Sequence, residues 1–153
     1  MKTILLYFDG LSASQRALEL AETLTRDYSA HLVLLYVRSR HLLPGPSTES
    51  TSAPTLSEAG RPILSVPEEA REEEMRQSLA IIERGRQQLE AKGIKADYLI
   101  VEGDTVDEIV REASRNYDLL ICPIAVRSDE SALGIGALQK LATRLSCSIF
   151  VVR

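Results

Sequence analysis

Apolar residues recur along the chain with two alternating periods. Thr3 to Phe8 is a short β-branched and apolar run that stops at Asp9-Gly10, and His31 to Val37 (HLVLLYV) is nearly all apolar. Tyr98 to Val101, Asp118 to Cys122 and Ser148 to Val152 repeat the type. Continuous runs of this length suit strands covered on both faces by helices. Between the runs, apolar positions fall three and four apart. They are Ala17, Leu20, Ala21 and Leu24; then Met75, Leu79, Ile82 and Leu89; then Val106, Ile109, Val110 and Ala113; and finally Leu138, Leu141, Ala142 and Leu145. Each set predicts one buried helix face.

Polar punctuation places the element ends. Ser12-Ala13-Ser14-Gln15 reads as a capping box for the first helix, and Thr105 with Glu108 three residues on reads the same way for the third. Pro67-Glu68-Glu69 suits the start of the second helix: proline has no N–H to leave orphaned, and the acids favour the positive helix end. Lys92-Gly93 supplies its stop. From Ser39 to Ser65 the pattern collapses into Pro, Ser, Thr and Gly, with Leu42, Leu43, Ile63 and Leu64 scattered through it. That composition buries too little apolar surface to offset chain entropy, so residues 39–65 are read as a mobile loop in an otherwise single domain spanning 1–153.

The order is β-α-β-α-β-α-β-α-β, with crossovers long enough for parallel pairing by right-handed connections. It predicts a three-layer, doubly wound α/β/α sandwich of Rossmann-like type with five parallel strands in the order 3-2-1-4-5. Ligands of such sheets bind beyond the carboxyl ends of the strands at the switch point, here between strands one and four. That rule gathers Asp9, Val37 and the loop after Cys122.

Composition narrows the function. A formal charge of −4, a pI near 5.3 and no local Lys/Arg cluster give no field for a phosphate backbone, which excludes nucleic acid as the expected partner. No apolar stretch approaches membrane-spanning length and no signal peptide precedes the first strand, so a cytoplasmic protein without membrane contact is expected. Cys122 and Cys147 lie far apart with no C-x-x-C, which fits reduced, buried thiols and no metal site. His31 and His41 read as surface residues. Ser128 and Ser131 have no identifiable base, so no catalytic residue is assigned and an enzyme is not expected.

Three segments together carry a resemblance. Ile4-Leu5-Leu6-Tyr7-Phe8-Asp9-Gly10, Val101-Glu102-Gly103-Asp104 and Cys147-Ser148-Ile149-Phe150-Val151-Val152-Arg153 resemble the first strand, the third-strand turn and the closing strand of the universal stress protein family. The likeness runs end to end apart from residues 39–65. It implies the adenine nucleotide alpha hydrolase-like variant of the fold, a stress-response role, and ATP with magnesium or another adenine nucleotide as the possible ligand. Asp9 would meet the adenosine end, and the backbone of Val37 the adenine edge. Family members that bind ATP carry G-x2-G-x9-G-[S/T] after the fourth strand. Laid on this chain, that pattern puts Pro123 and Val126 at the first two glycines, Gly136 at the third and Ala137 at the Ser/Thr.

Those departures have physical content. A phosphate loop brings backbone N–H groups up to the anion, and glycine permits the close approach. Pro123 removes a donor, Val126 adds a stiff branched side chain, and Asp129 and Glu130 add like charge. Gly134-Ile135-Gly136-Ala137 at the start of the last helix still offers N–H groups and a positive dipole end, with Arg127 nearby. Two functions follow. One is a dimeric regulatory or interaction module, with an unknown protein partner and weak or lost ATP binding; the other is a nucleotide-binding stress protein with slow or no hydrolysis. A receiver domain shares the architecture, but Asp9 has no acidic neighbour at the first strand. The last strand would be a sheet edge, and pairing Ser148 to Val152 with its copy predicts a homodimer, which the resemblance also implies.

Overall fold

All five apolar runs are strands. The structure, a computed structural model, describes residues 1–39, 68–127 and 129–153. The elements are β1 (Thr3–Tyr7), α1 (Ser12–Tyr28), β2 (His31–Ser39), α2 (Glu68–Glu90), β3 (Ala96–Gly103), α3 (Thr105–Ala113), β4 (Leu119–Pro123), α4 (Ile135–Arg144) and β5 (Ser148–Val152). Residues 1–39 and 78–153 form one compact unit and residues 40–77 a second, which is described only over 68–77, the opening turns of α2. The expected loop beyond Ser39, Pro67, His41 and Ser128 lie outside the described residues.

The sheet is parallel, in the order β3-β2-β1-β4-β5. Strand alternation splits its side chains between two cores. Ile4, Leu6 and Phe8 of the β1 run join Leu32 and Leu34 of β2 under Ala17 and Ala21 of α1 and Ile82 and Leu89 of α2. Leu5, Tyr7, Val33 and Leu35 face the other way, onto Ile109 and Ala113 of α3 and Leu141 of α4. β1 thus lies buried between two helical layers.

Three sequence readings are corrected. The first concerns helix faces, that of α2 foremost. Met75 and Leu79 are exposed, and the buried positions are Ser78, Ile82, Gly85 and Leu89. Gly85 is there because a Cβ would stand 2.9 Å from Cε1 of the buried Phe8, so the absence of a side chain lets helix and sheet approach. Ala142 of α4 is likewise exposed, leaving Leu141 as that helix's buried contact. The second and third concern caps. α3 is capped by Asp104, whose carboxylate accepts the Asp107 N–H at 3.0 Å; Thr105 is already helical, and Glu108 pairs with Arg111 at 2.6 Å. α1 has no side-chain cap. Ser12 is its first residue, and the N–H of Ala13 donates instead to the carbonyl of Glu130 at 2.9 Å.

Candidate functional site

The switch between β1 and β4 is where the chain leaves the sheet in opposite directions. β1 pairs with β2 from Thr3↔His31 to Tyr7↔Leu35, whereas β2 runs on beside β3 to Ser39↔Gly103. Phe8 donates its N–H to the carbonyl of Leu35 at 2.9 Å, the last bond across this seam. Val37, two residues on, has its backbone groups on the same side of the strand by the strand's alternation, past the end of β1. Its side chain is buried in the second core.

Asp9 follows Phe8 directly, and Gly10, at φ +80°, turns the chain away from it. A Cβ on Gly10 would stand 2.8 Å from Cγ2 of Ile81, so neither the backbone angle nor the space admits another residue without rearrangement. The Asp9 carboxylate accepts three hydrogen bonds. Oδ1 accepts the N–H of Leu11 at 2.9 Å, closing an Asx turn into α1, and Oδ2 accepts the N–H of Ala132 at 2.9 Å. The hydroxyl of Ser131, which is buried, lies 3.2 Å from Oδ2 and 3.0 Å from the Pro123 carbonyl and shares its proton between them. It also accepts the N–H of Leu133 at 3.1 Å. Asp9 therefore ties the end of β1 to the far side of the loop that follows β4.

Burial lifts the neighbouring acids of β1 and β4. The Cys122 thiol is pushed up to about 12, by desolvation first and then by the Asp9 charge, and the Tyr7 hydroxyl is raised by the same two causes in the same order. Both stay protonated at neutral pH, and neither is a nucleophile there. Cys122 and Cys147 are free thiols; the first is buried as expected, while the second is only half-buried.

The loop after β4 is bound to itself. Pro123, the last residue of β4, gives its carbonyl to Ser131, and Ala125 donates to the Leu133 carbonyl at 2.7 Å. Val126 and Arg127 both donate their backbone N–H groups to one oxygen, Oε2 of Glu130, at 3.0 Å each. These two bonds, first that from Arg127 and then that from Val126, hold the Glu130 carboxyl below its ordinary range, and the charges of Arg16 and Arg127 add to the effect. The expected repulsion between Glu130 and a loop anion is thus sharper than charge alone: the carboxylate sits on the loop's own amides.

Gly134 is the N-cap of α4 with extended backbone (φ −105°, ψ −174°), and a Cβ at Gly134 or Gly136 would meet nothing within 4 Å. Neither glycine is required by packing. Ala137 is half-buried against the second core, and its N–H donates to the Gly134 carbonyl at 3.1 Å. Asp9, Pro123, Val126, Arg127 and the 134–137 turn thus belong to one loop system, with Val37 on the adjoining strand end. Sequence reasoning missed Ser131 as a buried hub and Glu130 as a backbone acceptor. The second had a signal: a carboxylate three residues after Arg127, the spacing at which a capping-box glutamate reaches back to a main-chain N–H.

A surface cleft of about 450 Å³ lined by Val33, Arg86, Asp97, Tyr98 and Tyr117 lies instead at the amino ends of β2 and β3. Its cation, Arg86, is paired with Glu83 and Glu90 at 2.6 and 2.9 Å. Among the described residues no group of three or more His, Cys, Asp or Glu side chains could hold a metal ion, and no helix is long and apolar enough to cross a membrane.

Comparison with known proteins agrees with this fold. A model of the universal stress protein family matches residues 1–153. Universal stress protein YxiE of Bacillus subtilis (strain 168) is 26% identical over 156 residues, covering 98% of this chain and 97% of that protein. Among solved structures, the universal stress protein UspA from Lactobacillus plantarum superposes with a TM-score of 0.70 at 20% identity over 99% of this chain and 97% of its own. A universal stress protein family member from Arabidopsis thaliana with AMP bound does so with a TM-score of 0.61 at 18% identity, over 99% and 90%.

Proposed function

Given that the chain belongs to the universal stress protein family, we propose that it works as a cytoplasmic, homodimeric stress-response module that regulates or binds a partner and holds ATP weakly or not at all. One observation carries the reading: the Asp9 carboxylate, which the family resemblance aims at adenosine, is already bound by Ala132 and Ser131 of the loop that follows β4. A ligand that takes Oδ2 must displace those bonds first. Bonds to a charged group contribute roughly 1.5–3 kcal/mol each, so displacing them lowers affinity by powers of ten. With Glu130 on the Val126 and Arg127 amides, and Pro123 and Val126 where the pattern has glycine, the residues do not fit the usual triphosphate site, and no hydrolytic step follows from them.

A second reading, an adenine mononucleotide, is supported by the Val37 backbone lying past the end of β1 and by the uncrowded Gly134 and Gly136 at the α4 entry. The Arabidopsis relative with AMP bound makes that class worth testing. The homodimer rests on β5, a sheet edge on which Phe150 and Val151 are exposed.

The test is calorimetric titration of nucleotide-free protein with ATP and magnesium, repeated with AMP. The expected dissociation constant for ATP is weaker than about 0.1 mM, above −5.5 kcal/mol or so of binding energy. Heat with AMP but not with ATP selects the mononucleotide reading, and no heat with either leaves the partner-binding module. Micromolar ATP binding overturns the proposal.

A further inference from the structure

We propose that Glu130 is a built-in anion: its carboxylate occupies the main-chain donors that a loop of this kind offers to phosphate, and so sets the chain's selectivity against triphosphates. This rests on the reading of the chain as a weak ATP binder and gives that weakness a single residue as its cause. Two consecutive N–H groups, of Val126 and Arg127, converge on one oxygen at 3.0 Å each. Convergent consecutive amides are the arrangement that binds anions in protein loops. Here the anion is covalently part of the loop and is therefore always present at high effective concentration.

The backbone that carries the carboxylate is held at three points. The Glu130 N–H donates to the Arg127 carbonyl at 3.0 Å, closing the turn that carries the side chain back. The Glu130 carbonyl accepts the Ala13 N–H at 2.9 Å, anchoring the turn to the first turn of α1. Two residues on, Ala132 is fixed by Asp9. Glu130 is thus locked in place at both ends of its peptide. Arg16 and Arg127 add positive charge around it, so the surroundings suit an anion, and the anion supplied is internal. The expected loss of affinity from Pro123 and Val126 acts through donor number and shape; Glu130 acts by occupancy, and only occupancy is reversed by removing one carboxylate.

The test compares the parent with Glu130→Gln and Glu130→Ala, using ATP with magnesium by calorimetry and inorganic pyrophosphate by amide resonances. Freeing two donors from a charged partner should tighten ATP binding by about 10- to 100-fold in Glu130→Ala. Pyrophosphate should move the Val126 and Arg127 amide resonances in both variants and leave them in place in the parent. Glu130→Gln keeps the shape and carries the test if the alanine variant melts early. Variants that melt like the parent, gain no affinity and show no amide movement would make Glu130 a loop staple only and overturn the proposal. Micromolar ATP binding by the parent would instead remove the functional reading above, and a further gain in the variants would still support Glu130 as a competitor.

Discussion

At the scale of single residues, Asp9 carries more of the structure than its place at a strand end suggests. A ligand contact and a turn residue weigh equally from sequence, and the geometry separates them, because both oxygens accept backbone N–H groups. Asparagine offers one oxygen and one NH2 group. Whichever way its amide is turned, a donor then faces either Leu11 or Ala132. Asp9→Asn should therefore cost about 1–3 kcal/mol in urea unfolding, and the Ala132 or Leu11 amide should exchange faster with solvent. Unchanged stability and exchange would return Asp9 to the role of a ligand contact. The candidate site was legible to the same depth. Asp9, Val37 and the loop after Cys122 could be gathered from the switch-point rule, since that rule depends on strand order alone. Ser131 could not, because its partners Asp9, Pro123 and Leu133 are set by how the loop folds back, and no periodicity records that; Glu130 left only its three-residue spacing from Arg127.

At the scale of elements, every strand and helix among the described residues was legible from apolar spacing, whereas their ends and faces were less so. The α2 stripe misled because hydrophobic residues mark a buried face only where there is room for them. Where Gly85 meets Phe8, just past β1, the ring takes the space a side chain would need, and the other small buried residue of the helix is Ser78. The caps misled for a related reason. α1 takes its first-turn acceptor from Glu130, 117 positions away from Ala13, and a local capping rule cannot see it. β5 is the element with a property still to be tested. It pairs with β4 on one side only, and Phe150 and Val151 of that strand are 45% and 37% exposed. An apolar edge with open backbone groups favours pairing with a second copy. Sedimentation velocity should show a dimer at micromolar concentration, and Val151→Lys should move it toward monomer. A parent that sediments as a monomer throughout would remove β5 as the interface.

At the scale of the whole molecule, the central strands make stability depend on pH from the alkaline side. Cys122 and Tyr7 sit with almost no exposure between the two helical layers. Burial, and then the Asp9 charge, keeps both protonated well above their ordinary values of 9.0 and 10.0. The sign follows from proton counting. Above pH 9 the unfolded chain gives up the Cys122 proton while the folded chain keeps it until about 12, so the unfolded state binds fewer protons and each rise in pH favours it. The stability held below pH 9 is therefore lost across the window from 9 to about 12, at up to about 1.4 kcal/mol per pH unit for one group. Tyr7 adds to the slope from pH 10, and Tyr117, raised first by burial and then by its bond to Glu112, acts in the same direction. The urea midpoint should thus be level through neutral pH and fall progressively from pH 9. Cys122→Ala removes the first of these protons, so its midpoint, though lower overall for the lost packing, should stay level to about pH 10 before falling with Tyr7. Parallel alkaline limbs in parent and variant would show that Cys122 ionises as freely in the folded chain as in the unfolded one, and that β4 is not shielded as its packing implies.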